Sequence, residues 1–131
     1  MIPAMNDSTR LGESLREAGS DEFEGVAGRI VAHWHRSILD VELVAWRTPG
    51  GHLLQFQLTV RGEVAQWSEA AGLQTGLVVE SESLPGCREE NVRFDSKPVP
   101  GALARAADIL TAAMGLGADE RTLFARHLRG P

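Results

Sequence analysis

The sequence predicts an α+β fold: an antiparallel β-meander of three to five strands packed against an N-terminal helix and C-terminal helices. Three observations predict it. Leu54, Phe56, Leu58 and Val60 alternate with Gln55, Gln57, Thr59 and Arg61, the period of two that a half-buried strand requires. Strand-like runs at 41–47, 52–61 and 64–70 are joined by the short turns Pro49-Gly50-Gly51 and Arg61-Gly62-Glu63. Segments with helical spacing lie before and after these runs instead of between them, which argues against a doubly wound parallel sheet.

Taken in order, residues 1–20 are expected to form a mobile N-terminal tail with a short helix, and 21–131 a single domain. Asp7 or Ser8 caps that helix, Leu11, Leu15 and Ala18 share its stripe, Gly12 weakens it and Gly19 closes it. A stronger helix is expected next. Asp21 and Glu24 resemble a capping box, and Phe23, Val26, Ala27, Ile30, Trp34 and Ile38 recur at spacings of three and four.

In the first strand of the meander Val41, Leu43 and Ala45 share one side, with Val44 and Trp46 on the other. In the third, Ala65 and Trp67 oppose Val64, Gln66 and Ser68. Apolar groups on both faces predict a second covered surface, under either a helix or a partner. Leu77–Glu80 and Asn91–Phe94 read as short further strands around a Leu84-Pro85-Gly86 turn. Pro98 and Pro100 stop extended pairing and open a helix carrying Leu103, Ala106, Ala107, Leu110, Ala113 and Met114. Gly115 and Gly117 end it, and a last helix starting near Asp119 carries Leu123, Phe124, His127 and Leu128.

The 131 residues suit one domain, and a formal charge of −5 opposes binding to phosphate backbones, so no nucleic-acid partner is expected. No apolar run approaches a membrane span, so no membrane partner is expected either. A single cysteine, Cys87, excludes an intramolecular disulfide and favours a reducing, cytoplasmic setting. Twelve of the thirteen basic residues are arginine, which reflects composition more than mechanism.

No catalytic, metal or cofactor motif emerges. On a helix, the imidazoles of His33 and His35 would point about 200° apart and would not share an ion. Cys87 precedes Arg88 but has no placed histidine base. Gly115-Leu116-Gly117 follows a helix, not a strand, so it terminates a helix and does not cradle a dinucleotide. Glu80, Glu82, Glu89 and Glu90 read as a solvated acidic edge. The aromatic group is more suggestive: Trp46, Leu53, Phe56 and Trp67 are the candidate partner-binding residues, since aromatics on an open sheet face are common interface anchors. Trp34, by its spacing, is assigned to the core.

Several segments together carry a family resemblance. They are Leu53-Leu54-Gln55-Phe56 in a hairpin, Gly62-Glu63-Val64 leading to Ser68-Glu69-Ala70, Glu90-Asn91-Val92-Arg93-Phe94, and the alanine-rich helix ending Met114-Gly115-Leu116-Gly117. Across roughly 21–116 the chain resembles the bacterial type III secretion chaperone-like and YbjN-like superfamily of small peptide-binding chaperone domains. The loops around 72–90 and the last helix depart from that pattern. The resemblance implies a non-enzymatic, chaperone-like module, homodimeric, that holds a protein or peptide partner on an exposed sheet face or edge. Two other readings stand beside it: a small-molecule binder or enzyme with a pocket between sheet and helix, and an immunity or antitoxin-like protein.

Overall fold

The structure, a computed structural model, describes residues 7–26, 28–84 and 87–130, with side chains outside 80–90. Helix α1 (Asp7–Glu13) is followed by seven strands, β1 (Arg16–Gly25), β2 (Gly28–Ser37), β3 (Val41–Arg47), β4 (Leu53–Val60), β5 (Glu63–Ser68), β6 (Gly72–Leu84) and β7 (Cys87–Phe94). Helices α2 (Pro100–Thr111) and α3 (Ala118–Arg129) close the chain. The strands form one antiparallel sheet in sequence order, so the α+β class holds, with seven strands where three to five were expected.

The surplus comes mainly from residues 16–37. The helix expected over 21–38 is absent; β1 and β2 form a hairpin in which Phe23 opposes Ile30 and Gly25 opposes Gly28. The spacings of three and four were real but incidental. A helix there would carry two interior glycines at roughly 1 kcal/mol each, whereas Ile30, Ala32 and Trp34 alternate with Val31, His33 and His35, as a strand requires. In β6 and β7, strand pairing runs past the short segments expected, reaching Leu84 and Cys87. The Leu84-Pro85-Gly86 turn expected there has its proline and glycine outside the described residues.

Register assigns every side chain to one of two faces. Val41, Leu43, Ala45, Phe56, Leu58, Val60 and Ala65 share one face and join the helices in a single apolar cluster with Leu110, Ile109, Phe124 and Leu128. Phe56 sits at its centre, fully buried, its ring 4.6 Å from that of Phe124. Burying such side chains is worth about 1.5–3 kcal/mol each. Between β6 and α2, the fully buried Thr75 hydroxyl donates to the Asp95 carboxylate (2.6 Å) and accepts from the Val99 N–H (2.9 Å), which sets the start of α2.

The expected boundary at residue 20 falls inside β1, and α1 with the turn that follows it is part of the core: Leu11 and Leu15 are fully buried. Gly12, expected to weaken α1, has a packing role. A Cβ there would collide with the Ile109 carbonyl oxygen, and one at Gly115 would lie 2.7 Å from the Leu15 carbonyl oxygen. Both glycines therefore admit the close crossing of α1 with α2 and the chain that follows it.

Candidate binding surface

The three helices cover one face of the sheet. Arg47 pairs with Glu120 of α3 (3.2 Å), Trp67 stacks on His127 of α3 (3.9 Å between ring centroids), and Glu63 accepts from Arg105 of α2 (3.1 Å). All three strand residues lie on the core side by register. Among the described residues no helix lies over the opposite face.

That open face is nonetheless apolar at its centre. Trp34 of β2 stands directly opposite Val44 of β3, and Ala32 stands opposite Trp46. Ala32 is fully buried and Val44 nearly so, yet neither belongs to the helix-side core. Cross-strand neighbours about 5 Å apart shade one another, so each half-buried indole covers the small residue it faces. Phe23 and Ile30 extend the apolar strip to the edge of the sheet, where Phe23 is 42% exposed.

Toward β6 the open face turns polar without becoming charged. Gln55, Gln57 and Thr59 come from β4, Gln66 and Ser68 from β5, and Gln74 from β6. The Gln66 amide donates to Gln74 (3.0 Å), and beside this stretch, on β2 and β3, Arg36 is paired with Glu42 at 2.9 Å. A hollow of about 440 Å³ is lined by Arg36, Glu42, Gln57, Thr59, Val78 and Val92. β2 and β7 are five strands apart, so residues from both can share one hollow only because the sheet curls toward its open side.

The expected site residues divide between the faces. Trp46 lies on the open face, half-buried. Phe56 is fully buried and Leu53 is 7% exposed, both in the core, and Trp67 packs on the core beneath His127. Trp34 and Phe23 complete the open strip and were missed, because a helical reading of 21–38 gives them no place on a sheet. The signal was the alternation Ile30, Ala32, Trp34.

A second group lies where α3 meets the sheet. On a strand, His33 and His35 point to the same side, not apart as the helical reading required, and with Arg47 and Glu120 they line a cleft of about 180 Å³. Burial lowers the His35 pKa below its ordinary value, opposed by the carboxylates of Glu120 and Glu17 and assisted by His33 and Arg47. The Arg47 guanidinium is 5.7 Å from the Phe124 ring centre, so the pair with Glu120 fastens α3 to β3. Among the described residues no three histidine, cysteine or carboxylate groups are placed to hold a metal. The side chains of Cys87, Glu80, Glu82, Glu89 and Glu90 lie outside the described residues.

No helix of the described residues is long and apolar enough to cross a membrane. Comparison with known proteins gives no match: no family model, no curated protein and no solved structure is similar to this chain.

Proposed function

We propose that this chain is a non-enzymatic, chaperone-like protein-binding module that holds a partner polypeptide on the sheet face opposite its helices. The carrying observation is the strip of Phe23, Ile30, Trp34 and Trp46 on a face without a helix. Aromatic groups half-shielded by small neighbours are common hot spots, because a partner completes a desolvation already begun. The uncharged glutamine border adds hydrogen-bonding groups suited to a peptide backbone.

A pocket enzyme finds less support. Between α2 and β4–β5 the gap holds about 20 Å³, roughly one water, and the hollow of about 420 Å³ at the start of α2 has its polar groups paired, Thr75 with Asp95 and Arg105 with Glu63. The cleft at His33 and His35 is crossed by a satisfied Arg47–Glu120 pair. A homodimer belongs to the same proposal, with exposed Phe94 on the far edge of the open face as further apolar area.

Affinity capture from the native cell, read by mass spectrometry, tests the proposal with wild type beside Trp46→Lys. A stoichiometric partner recovered by wild type and lost with Trp46→Lys, at unchanged circular dichroism, is the expected result. Recovery of no partner, or a partner indifferent to Trp46 and to Trp34→Lys, overturns it.

A further inference from the structure

We propose that the outer edge of β1 receives an added strand, and that this strand is a basic, extended polypeptide segment whose residues alternate between basic and apolar. The inference deepens the proposed function and rests on it.

The geometry comes first. The inner edge of β1 pairs with β2, and its outer edge has no strand beside it among the described residues. After the register shift between Glu17 and Gly19, pairing runs unbroken from Gly19 to Gly25, so the free edge beyond the shift is regular. The Glu22 N–H donates to the carboxylate of its neighbour Asp21 (2.9 Å), a side-chain stand-in for an acceptor from another chain. A strand presenting unpaired backbone groups is a template for pairing.

Charge selects the occupant. Glu17, Asp21, Glu22 and Glu24 are all exposed on β1 against Arg16 alone, and among the described residues Arg29 of β2 pairs with Glu22, at 3.7 Å. A second copy pairing its own β1 here would set carboxylates against carboxylates, which is unfavourable across a ladder. A basic segment is favoured by the same field. Acidic residues on an edge also serve simply to prevent pairing, but the composition of β1 goes beyond protection. Phe23 stands exposed in the middle of the edge and Val26 is fully exposed beside the hairpin turn, where a purely repellent edge would carry charge.

Alternation then sets the pattern. Ser20, Glu22 and Glu24 point to the side of the sheet that bears the helices, while Asp21 and Phe23 point to the open side. An added strand directs successive side chains to opposite faces. Its basic residues meet Glu22 and Glu24, and its apolar residues carry the strip of Trp46, Trp34, Ile30 and Phe23 one strand further outward.

The full-length protein is titrated with a fluorescent seven-residue peptide of alternating arginine and valine, and anisotropy is read at low and moderate salt. Controls are an alternating glutamate–valine peptide and an arginine peptide with proline at the valine positions, which keeps the charge but cannot pair as a strand. Expected are saturable binding of the first peptide, at least tenfold weaker binding of both controls, and at least tenfold weaker binding by Glu22→Lys/Glu24→Lys, whose surface changes leave the fold intact by circular dichroism. Amide exchange at 20–24 slows at least tenfold on binding. Equal binding of the proline peptide, undiminished binding by the double variant, or unchanged exchange overturns the edge. So does a rise in mass with protein concentration that Glu22→Lys/Glu24→Lys abolishes, since the occupant is then a second copy. The open-face proposal is judged apart from these outcomes, by the response of the cellular partner to Trp46→Lys.

Discussion

The imidazole of His127 lies on the indole of Trp67, 3.9 Å between ring centroids and 23° from parallel. Burial lowers the pKa of His127 below its ordinary 6.5, assisted by the neighbouring Arg126 charge. His35 is lowered from the same reference. Between the folded and unfolded values the unfolded chain binds more protons, so stability rises with pH in that window. The contribution is complete above about pH 6.5 and is lost as pH falls through the folded values. Melting temperature is therefore expected to drop on acidification below about 6.5, and less so in His127→Phe. Fluorescence of Trp67, read with Trp34 and Trp46 replaced by phenylalanine, reports the same proton on its stacking partner.

Phe56 and Trp46 are both aromatic and both belong to the meander, yet they lie on opposite faces. Phe56→Ala empties a fully buried site beside Phe124 and is expected to cost about 3–5 kcal/mol in urea unfolding. Trp46→Ala is expected to cost less than half as much, and to weaken partner capture. Equal costs would mean that the open face is core after all.

Arg47 and Glu120 offer a contrast with Arg36 and Glu42. The Arg47 side chain is only 16% exposed, against 64% for Arg36. Glu120→Gln leaves a largely covered guanidinium without its counter-charge and is expected to cost about 1–2 kcal/mol, against less than about 1 kcal/mol for Glu42→Gln. It also removes the largest interaction raising the His35 pKa, so that pKa moves further down in an NMR titration.

The β4–β5 turn places Arg61 at φ 49° and Gly62 at φ 86°. Two successive positive φ values suit an Asn-Gly pair, and an arginine there is strained. Arg61→Asn is expected to stabilise the protein by about 0.5–1 kcal/mol, read as a higher melting temperature.

Much of this architecture was legible because β3 to β5 bury one face under helices and keep strict parity: Val41, Leu43 and Ala45 against Val44 and Trp46. α2 and α3 announced themselves through apolar stripes and the Gly117 break between them. β1 and β2 were illegible as strands because they lie at the sheet margin, where exposure relaxes alternation and lets Phe23, Val26, Ile30 and Trp34 imitate a helix. The length of β6 was hidden by Gly72 and Gly76, which interrupt its side-chain alternation. At the site, parity within each strand was legible but did not tell Trp46 and Trp67 apart, because it left open which side of each strand the helices would choose. That depends on long-range docking of α3 through Phe124 and His127, which no local pattern encodes.

Arg105 reaches back to Asp7 across 98 residues of chain, and the crossing at Gly12 belongs to the same long-distance closure. During synthesis the whole meander emerges before α2 and α3, so its greasy side stays bare until both helices have been added. A product ending near residue 99 is thus expected to be sticky and short-lived.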